Sequence, residues 1–309
     1  MQKISLTILL SFALITIHAQ EVSIISNGYK LHGTLAVPKS ENPIDVALII
    51  AGSGPTNRNG NNPLGVKCNS YKMISELLYN NGIATLRYDK RGIGENAMVN
   101  ETNLSFEMYI DDAIEWVKYL KKDKRFSNII IIGHSEGSLI GMIAAKRIGA
   151  DKFISLCGAG RPAYALIEEQ LIHNKVPQEL LNNCNVMMDS LKLGVTVKNV
   201  DPSLASLFRP RVQPYMISWF KYDPCKEISK LIIPVMVIGG TTDIQVDNED
   251  AELLSKSNSH CKLEIIKNMN HILKNVATKE PSENFKTYSD DSLPLSSELC
   301  NKLIEFIKE

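Results

Sequence analysis

A serine flanked by glycines lies near the middle of the chain, where residues 129–137 read IIIIGHSEG. Ser135 follows four isoleucines, which are typical of a strand buried on both faces of a parallel sheet. Residues 136–148 place apolar side chains at helical spacing, with small residues between them. A serine at such a junction occupies a sharp, strained turn, which requires glycine two positions before and two positions after it. We therefore predict that Ser135 is an exposed nucleophile, and the flanking strand and helix disfavour an idle serine in a glycine-rich turn.

A serine nucleophile needs a general base within hydrogen-bond reach, because a neutral hydroxyl reacts poorly near neutral pH. The chain has six histidines. Five are set aside by their positions: His18 in the N-terminal apolar segment, His32 in a predicted hairpin, His134 inside the turn, His173 in a predicted insertion and His260 before the last predicted strand. His271 follows that strand, residues 263–266, at the sheet edge where Ser135 is expected. His271 is therefore the predicted base.

A carboxylate must hold the base in the correct tautomer and stabilise its charged form. Asp243 comes shortly after the predicted strand 234–238, again at the carboxyl edge of the sheet. Three other acidic residues compete for this role, namely Asp247, Glu249 and Asp250. Asp247 precedes a helical run and is better explained as a helix N-cap. The predicted catalytic residues are therefore Ser135, Asp243 and His271.

The elements that must position these residues alternate between strand and helix. A hairpin is predicted from residues 21–26 and 31–37, and further strands at 46–50, 84–88, 129–132, 153–156, 234–238 and 263–266. Helices are predicted at 71–80, 105–120 and 136–148. Because βαβ connections are right-handed, this alternation predicts an α/β fold with a doubly wound, mostly parallel sheet. Functional sites of such sheets lie at the carboxyl ends of the strands.

The stretch between Gly158 and Lys230 interrupts this alternation. It holds helical segments but no strand-like run, and it is far longer than the roughly 2 to 6 residues of a typical αβ loop. We predict an inserted helical cap at about residues 159–230, above the carboxyl edge of the sheet. Six large side chains of the cap could line a substrate pocket, although for most of them a place in the cap's own core is favoured: Met187, Met188, Tyr215, Met216, Trp219 and Phe220.

The 34 basic and 34 acidic residues give a net charge of zero, which predicts no nucleic-acid partner. Residues 1–19 join Lys3 to an apolar run and end at Ala19, which predicts a secretory signal peptide. The protein is then expected to be exported, to the periplasm or the medium, as a mature domain of residues 20–309 without a membrane span. The six cysteines form no C-x-x-C pair, so their spacing predicts neither a metal site nor a redox motif.

Five motifs together resemble those of one family: AGSGP at 51–55, YDKRGIG at 88–94, GHSEG at 133–137, GGTTD at 239–243 and NMNH at 268–271. They resemble the α/β-hydrolase family over about residues 21–308, and they are similar to its secreted bacterial serine esterases. One departure is Ala51, where many members have histidine. The resemblance implies a serine hydrolase that cleaves small-molecule carboxylic esters through an acyl-enzyme, without a cofactor. Aminopeptidase, thioesterase and acyltransferase activities stay open on this fold, while a non-catalytic binding protein is disfavoured.

The oxyanion of a tetrahedral intermediate needs backbone hydrogen-bond donors. The amide of Glu136, at the start of the predicted helix, is one donor by geometry. The resemblance implies that the loop after the first buried strand supplies the other, with Ser53 as the first choice and Gly54 as the second. Asn57 and Arg58 are near enough in sequence to contact a substrate, and an ordinary loop role is equally open for both.

Overall fold

A computed structural model describes residues 19–96, 101–173 and 175–309. Eight strands form one sheet: β1 (Ala19–Ser26), β2 (Tyr29–Ala36), β3 (Ile44–Ile50), β4 (Ala84–Tyr88), β5 (Phe126–His134), β6 (Lys152–Leu156), β7 (Val235–Gly240) and β8 (Cys261–Ile266). Their order across the sheet is β1-β2-β4-β3-β5-β6-β7-β8. The pairs β1–β2 and β2–β4 are antiparallel, and all later pairs are parallel. The predicted mostly parallel, doubly wound sheet is confirmed.

The helices cover both faces and the carboxyl edge of the sheet. They are α1 (Ser70–Asn80), α2 (Phe106–Lys121), α3 (Glu136–Ile148), α4 (Ala163–His173), α5 (Gln178–Lys192), α6 (Ala205–Phe208), α7 (Gln213–Trp219), α8 (Pro224–Ile228), α9 (Asn248–Lys256), α10 (Pro281–Lys286) and α11 (Ser297–Lys308). Helices α4 to α8 all lie between β6 and β7, where the sequence predicts the cap. We refer to the described residues between β6 and β7, which include these helices, as the cap.

The hairpin of β1 and β2 closes through a two-residue turn. Asn27 and Gly28 have φ angles of 47° and 78°. Two successive residues with positive φ form a type I′ turn, which matches the twist of paired strands and favours Asn-Gly. This hairpin forms one edge of the sheet, with β1 outermost and β2 paired with β4.

The central strand β5 contributes to two hydrophobic cores. Ile129 and Ile131 pack into the core beneath α2, α3 and the cap. Ile130 and Ile132 pack into the opposite core, which α1 and α11 cover. Alternate residues of a strand point to opposite faces, so four consecutive isoleucines fill both sides of the sheet. This double burial holds the end of β5, and the serine that follows it, in a fixed place.

The predicted signal peptide falls almost entirely outside the described residues, which begin at Ala19. Among the described helices, none combines the length and the apolar character that crossing a bilayer requires. All six cysteines are described, and they are free thiols.

Candidate active site

Ser135 occupies the turn between β5 and α3, with φ 53° and ψ −121°. Such a conformation is strained for a residue with a Cβ atom. The two neighbouring glycines are required by close backbone contacts. A Cβ atom on Gly133 would lie 2.2 Å from the oxygen of Gly137, and one on Gly137 would lie 2.4 Å from the oxygen of Ile50. The half-buried Ser135 is thus presented at the carboxyl edge of the sheet by a turn that admits no larger neighbours.

His271 and Asp243 form a buried pair at the same edge. The loop after β8 carries His271, whose Nδ1 lies 2.8 Å from Oδ2 of Asp243. The other carboxylate oxygen accepts hydrogen bonds from the amides of Gln245 and Val246, at 2.8 and 3.0 Å. Burial alone raises the pKa of Asp243, but the charge and hydrogen bond of His271 and the two amides outweigh it, so the pKa lies below its ordinary value. An ionised Asp243 fixes a proton on Nδ1 and leaves Nε2 of His271 as the basic atom.

Two of the three competing acidic residues bind partners other than His271, and the third, Glu249, is exposed. Asp250 is buried, and its carboxylate accepts hydrogen bonds from Arg161 and from the amide of Gly160, at the start of the cap. Asp247 does occupy the N-cap position of α9, but its side chain makes no capping hydrogen bond. It forms an exposed ion pair with Lys279 instead. The expected position of Asp247 is therefore correct, whereas the expected capping bond is absent.

His134, which is not the predicted base, connects the loop of His271 to the loop that begins at Gly52. Its Nε2 lies 2.8 Å from the backbone oxygen of His271, and its Nδ1 lies 2.7 Å from the hydroxyl of Tyr71. Because a carbonyl oxygen only accepts, Nε2 carries the proton and Nδ1 accepts from Tyr71. The hydroxyl oxygen of Tyr71 in turn accepts from the amide of Gly52 at 3.1 Å. Burial, together with repulsion by a charged His271, lowers the pKa of His134 to about 3, so this ring stays neutral.

A second buried cluster lies on the other side of Ser135. Lys90 follows β4, and its ammonium donates to the backbone oxygen of Gly52 at 2.6 Å and to the carboxylate of Glu136 at 3.2 Å. The hydroxyl of Tyr215, from α7 of the cap, donates to the same carboxylate. Lys90 and Glu136 are each 2% exposed. The sequence indicates no chemical role for the loop 89–94, and it does not reveal this contact with the backbone of Gly52.

Two cavities meet at Ser135. The smaller, which we call the loop cavity, measures about 190 Å³ and includes Ser53 and His271 in its wall. The larger, which we call the cap cavity, measures about 790 Å³ and lies beneath the cap. Ser53 and Ser135 line both cavities. In the described part of the chain the amide of Ser53 has no hydrogen-bond partner, and the first amides of a helix, such as that of Glu136, have none within the helix.

The six large side chains of the cap divide into two groups. Tyr215, Met216 and Trp219 line the cap cavity. Three others are buried in the hydrophobic core beneath the cap, outside the described cavity wall: Met187, Met188 and Phe220.

The two loop residues considered for substrate contact have structural roles. The side chain of Arg58 binds three carboxylates, those of Asp89, Glu21 and Glu95. The side-chain oxygen of Asn57 accepts from two amides of its own turn. Neither residue lies in the described wall of the loop cavity or the cap cavity.

Three side chains near the pair could in principle bind a metal, because the ligand atoms of His134, Cys157 and His271 lie within 4.8 Å of one another. Their bonding does not favour this. Both ring nitrogens of His134 and Nδ1 of His271 are already hydrogen-bonded. Burial raises the pKa of the Cys157 thiol well above its ordinary value, and the carboxylate of Asp243 raises it further. A protonated thiol is a poor metal ligand.

The sheet, the turn at Ser135 and the inserted cap define an α/β hydrolase. The model of the Hydrolase_4 family, described as serine aminopeptidase, S33, matches residues 64–275. This match covers more than half of the chain, which therefore belongs to this family.

Two curated proteins are similar in sequence. Esterase EstD of Thermotoga maritima is 29% identical over 271 residues, which is 82% of this chain and 60% of EstD. The probable protein phosphatase methylesterase 1 of Dictyostelium discoideum is 23% identical over 198 residues, which is 55% of this chain and 59% of that protein. The matches thus span about three fifths of the length of each relative.

Solved structures share the fold at lower sequence identity. Est1E from Butyrivibrio proteoclasticus, solved with ferulic acid bound, superimposes with a TM-score of 0.61 at 20% identity. That superposition covers 93% of this chain and all of Est1E. The Pyrococcus furiosus esterase Pf2001 gives a TM-score of 0.60 at 16% identity, covering 94% of this chain and 91% of that one.

Proposed function

We propose that this protein is a serine hydrolase that cleaves carboxylic esters through an acyl-enzyme on Ser135. The observation that carries the proposal is the buried pair of His271 and Asp243 beside a serine held in a strained turn. The relatives named as esterases support the choice of esters. Export by residues 1–19 belongs to the same proposal and rests on the sequence pattern alone.

The proposed reaction uses each group in turn. Nε2 of His271 accepts the proton of Ser135 as Oγ attacks the ester carbon, and Asp243 stabilises the imidazolium that forms. The amides of Glu136 and Ser53 hold the negative oxygen of the tetrahedral intermediate. His271 then donates the proton to the departing alcohol oxygen. A water molecule, activated by the same histidine, attacks the acyl-enzyme, and the acid is released with Ser135 restored.

An aminopeptidase is the second candidate, because the family description names one. Such an enzyme must bind a free, positively charged amino group, for which an unpaired carboxylate is the usual partner. Glu136 is the acidic side chain among the described residues that line the cap cavity. Its carboxylate already binds the ammonium of Lys90 and the hydroxyl of Tyr215. This pairing favours ester substrates over aminoacyl amides.

Two measurements test the proposal together. A fluorophosphonate should label the protein on the peptide that contains Ser135, and Ser135→Ala should abolish the labelling. In a panel of esters, thioesters and aminoacyl amides, esters should be hydrolysed fastest. Failure of both labelling and ester hydrolysis in folded protein contradicts the proposal, and faster cleavage of aminoacyl amides favours the aminopeptidase.

A further inference from the structure

The two cavities at Ser135 differ in whether His271 lines them. His271 forms part of the wall of the loop cavity. The described wall of the cap cavity does not include it. In the proposed reaction the departing alcohol oxygen takes its proton from His271, so the alcohol must lie on the side of that ring. The remaining branch of the ester, its acyl group, must then extend to the other side.

We propose that the alcohol portion of the substrate occupies the loop cavity and the acyl portion occupies the cap cavity. This assignment rests on the proposed function, because it uses the proton transfer from His271. Its consequence is a substrate class: esters of a large acid with a small alcohol, rather than small acids esterified to a large alcohol.

The sizes of the cavities set the sizes of the two groups. The cap cavity, at about 790 Å³, lies within the range of pockets that hold ligands of drug size. The loop cavity, at about 190 Å³, lies below that range. Polar side chains of Thr56, Asn62 and Ser70 contribute to its wall. It therefore suits a short alcohol such as methanol or ethanol.

The chemistry of the cap cavity favours a neutral, apolar acyl group. Its wall includes Leu104, Leu139, Ile167, Leu207, Met216 and Trp219. Four cationic side chains lie in the wall. Three of them are paired with carboxylates: Lys90 with Glu136, Arg91 with Asp112, and Arg161 with Asp250 and Glu169. The guanidinium of Arg209 donates to the backbone oxygen of Ser206. An acyl chain of aliphatic or aromatic character would bury its surface there without displacing an ion pair.

A pair of isomeric esters tests the assignment directly. Ethyl 4-phenylbutanoate and 4-phenylbutyl acetate have the same atoms, with the large and small groups exchanged across the ester bond. We expect kcat/KM for ethyl 4-phenylbutanoate to be higher by about tenfold or more. Equal values, or a preference for the acetate, overturn the assignment and leave the proposed function standing. If neither ester is hydrolysed and fluorophosphonate labelling also fails, the proposed function falls and the assignment falls with it.

A matched pair of cap variants adds an independent test. Leu207→Trp fills part of the cap cavity, so it should lower kcat/KM for ethyl 4-phenylbutanoate by about tenfold while changing that for ethyl acetate by less than about twofold. The control is Leu193→Trp, at a cap residue that is 82% exposed and outside the described cavity wall. It should change neither rate. Equal losses on both esters in Leu207→Trp contradict the placement of the acyl group.

The contact between Lys90 and Gly52 carries a second, independent inference. The oxygen of Gly52 and the amide of Ser53 belong to one peptide unit, which is planar and trans, so they point in opposite directions. The ammonium of Lys90 lies 2.6 Å from that oxygen. We infer that Lys90 is a positioning residue, which orients the Ser53 amide toward the oxyanion and increases its polarity as a donor. This inference also rests on the proposed function.

Kinetics of Lys90 variants test the inference. Lys90→Met should lower kcat by about 10- to 100-fold with little change in KM, because the affected hydrogen bond forms chiefly in the transition state. It should weaken binding of a boronic acid, which becomes tetrahedral on Ser135, by the same factor. Lys90→Arg should recover part of kcat and part of the affinity for the boronic acid. Because Lys90→Met leaves the buried carboxylate of Glu136 without its cation, the double variant with Glu136→Gln serves if the single variant does not fold. A folded variant with kcat within about twofold of the parent overturns the inference.

Discussion

His134 Nε2 donates a hydrogen bond to the backbone oxygen of His271, at 2.8 Å. The residue before Ser135, the proposed nucleophile, therefore holds the loop that carries the proposed base. The two imidazole rings lie close, with 4.9 Å between their centroids. A charge on His134 would disfavour the charged form of the proposed base, and burial of His134 keeps its ring neutral.

The first prediction concerns stability at acid pH. The pKa of His134 is about 3 in the folded protein against 6.5 when exposed. As the pH falls, the unfolded chain therefore binds a proton at His134 before the folded protein does. The stability that the neutral His134 contributes is complete above pH 6.5 and is lost as the pH falls toward 3. His134→Gln keeps a hydrogen-bond donor and an acceptor but cannot bind the proton. Between these pH values its free energy of unfolding should fall less steeply than that of the parent, by up to about 1.4 kcal/mol per pH unit. Urea unfolding of both proteins across this range measures the slopes, and parallel curves would contradict the prediction.

The second prediction concerns Ser135, the proposed nucleophile. Ser135→Ala should fold with a free energy of unfolding within about 1 kcal/mol of the parent, because alanine removes only one hydroxyl from a half-buried position. Ester hydrolysis should fall by about 10⁴ to 10⁶. Thermal unfolding and a burst assay check the two statements separately. A variant that keeps about a tenth of the parent rate would show that another group is the nucleophile.

The third prediction separates two aspartates four positions apart. Asp243→Asn should keep the fold but present the wrong tautomer of His271 to Ser135, with a loss of about 10⁴ in kcat. Asp247→Asn is the matched control, because its exposed ion pair with Lys279 contributes little. It should retain activity within about twofold and stability within about 0.5 kcal/mol. An inactive Asp247→Asn beside an active Asp243→Asn would transfer the role of the acid to Asp247.

The fourth prediction concerns adjacent aromatic residues of the cap. Trp219 lines the cap cavity and stacks on Phe106, with 5.9 Å between the ring centroids. Trp219→Ala should therefore shift the preferred acyl length more than it changes turnover of acetyl esters. Phe220 lies outside the described cavity wall and packs edge-on against Tyr164. Phe220→Ala should lower stability by about 3 kcal/mol and leave the preferred acyl length unchanged, as a series of ethyl esters would reveal.

Local sequence patterns were sufficient to predict the strands and the strained turn. Apolar runs mark the buried strands because both faces of a parallel sheet need them, and the run before Gly133 shows this most clearly. The glycine at each side of Ser135 is required by contacts within a few residues. Asp243 and His271 followed from their places after β7 and β8, since parallel strands bring their carboxyl ends to one edge. Their catalytic roles stay predictions.

The contacts between these elements could not be predicted from local sequence patterns. Tyr71 is 63 positions from His134, and Lys90 is 38 positions from Gly52. Each pair forms only because the folded chain brings together segments that are distant in sequence, α1 with the end of β5 and the loop after β4 with the loop after β3. An exposed aspartate at the start of a helix can bind several partners, and helix propensity alone does not predict which one. Asp247 forms an ion pair with Lys279, a lysine from a distant loop.

The hydrogen bonds from the Gly52 amide through Tyr71 and His134 to the His271 carbonyl have a consequence for heat inactivation. All of their side chains are buried, and Tyr71 projects from a helix that covers one hydrophobic core. Separating the loop of Gly52, which carries the proposed oxyanion donor, from the loop of His271, the proposed base, thus requires that core to loosen. We expect the rate of ester cleavage and the near-ultraviolet circular dichroism to disappear at one temperature, with no interval in which an intact fold has already lost its catalytic power.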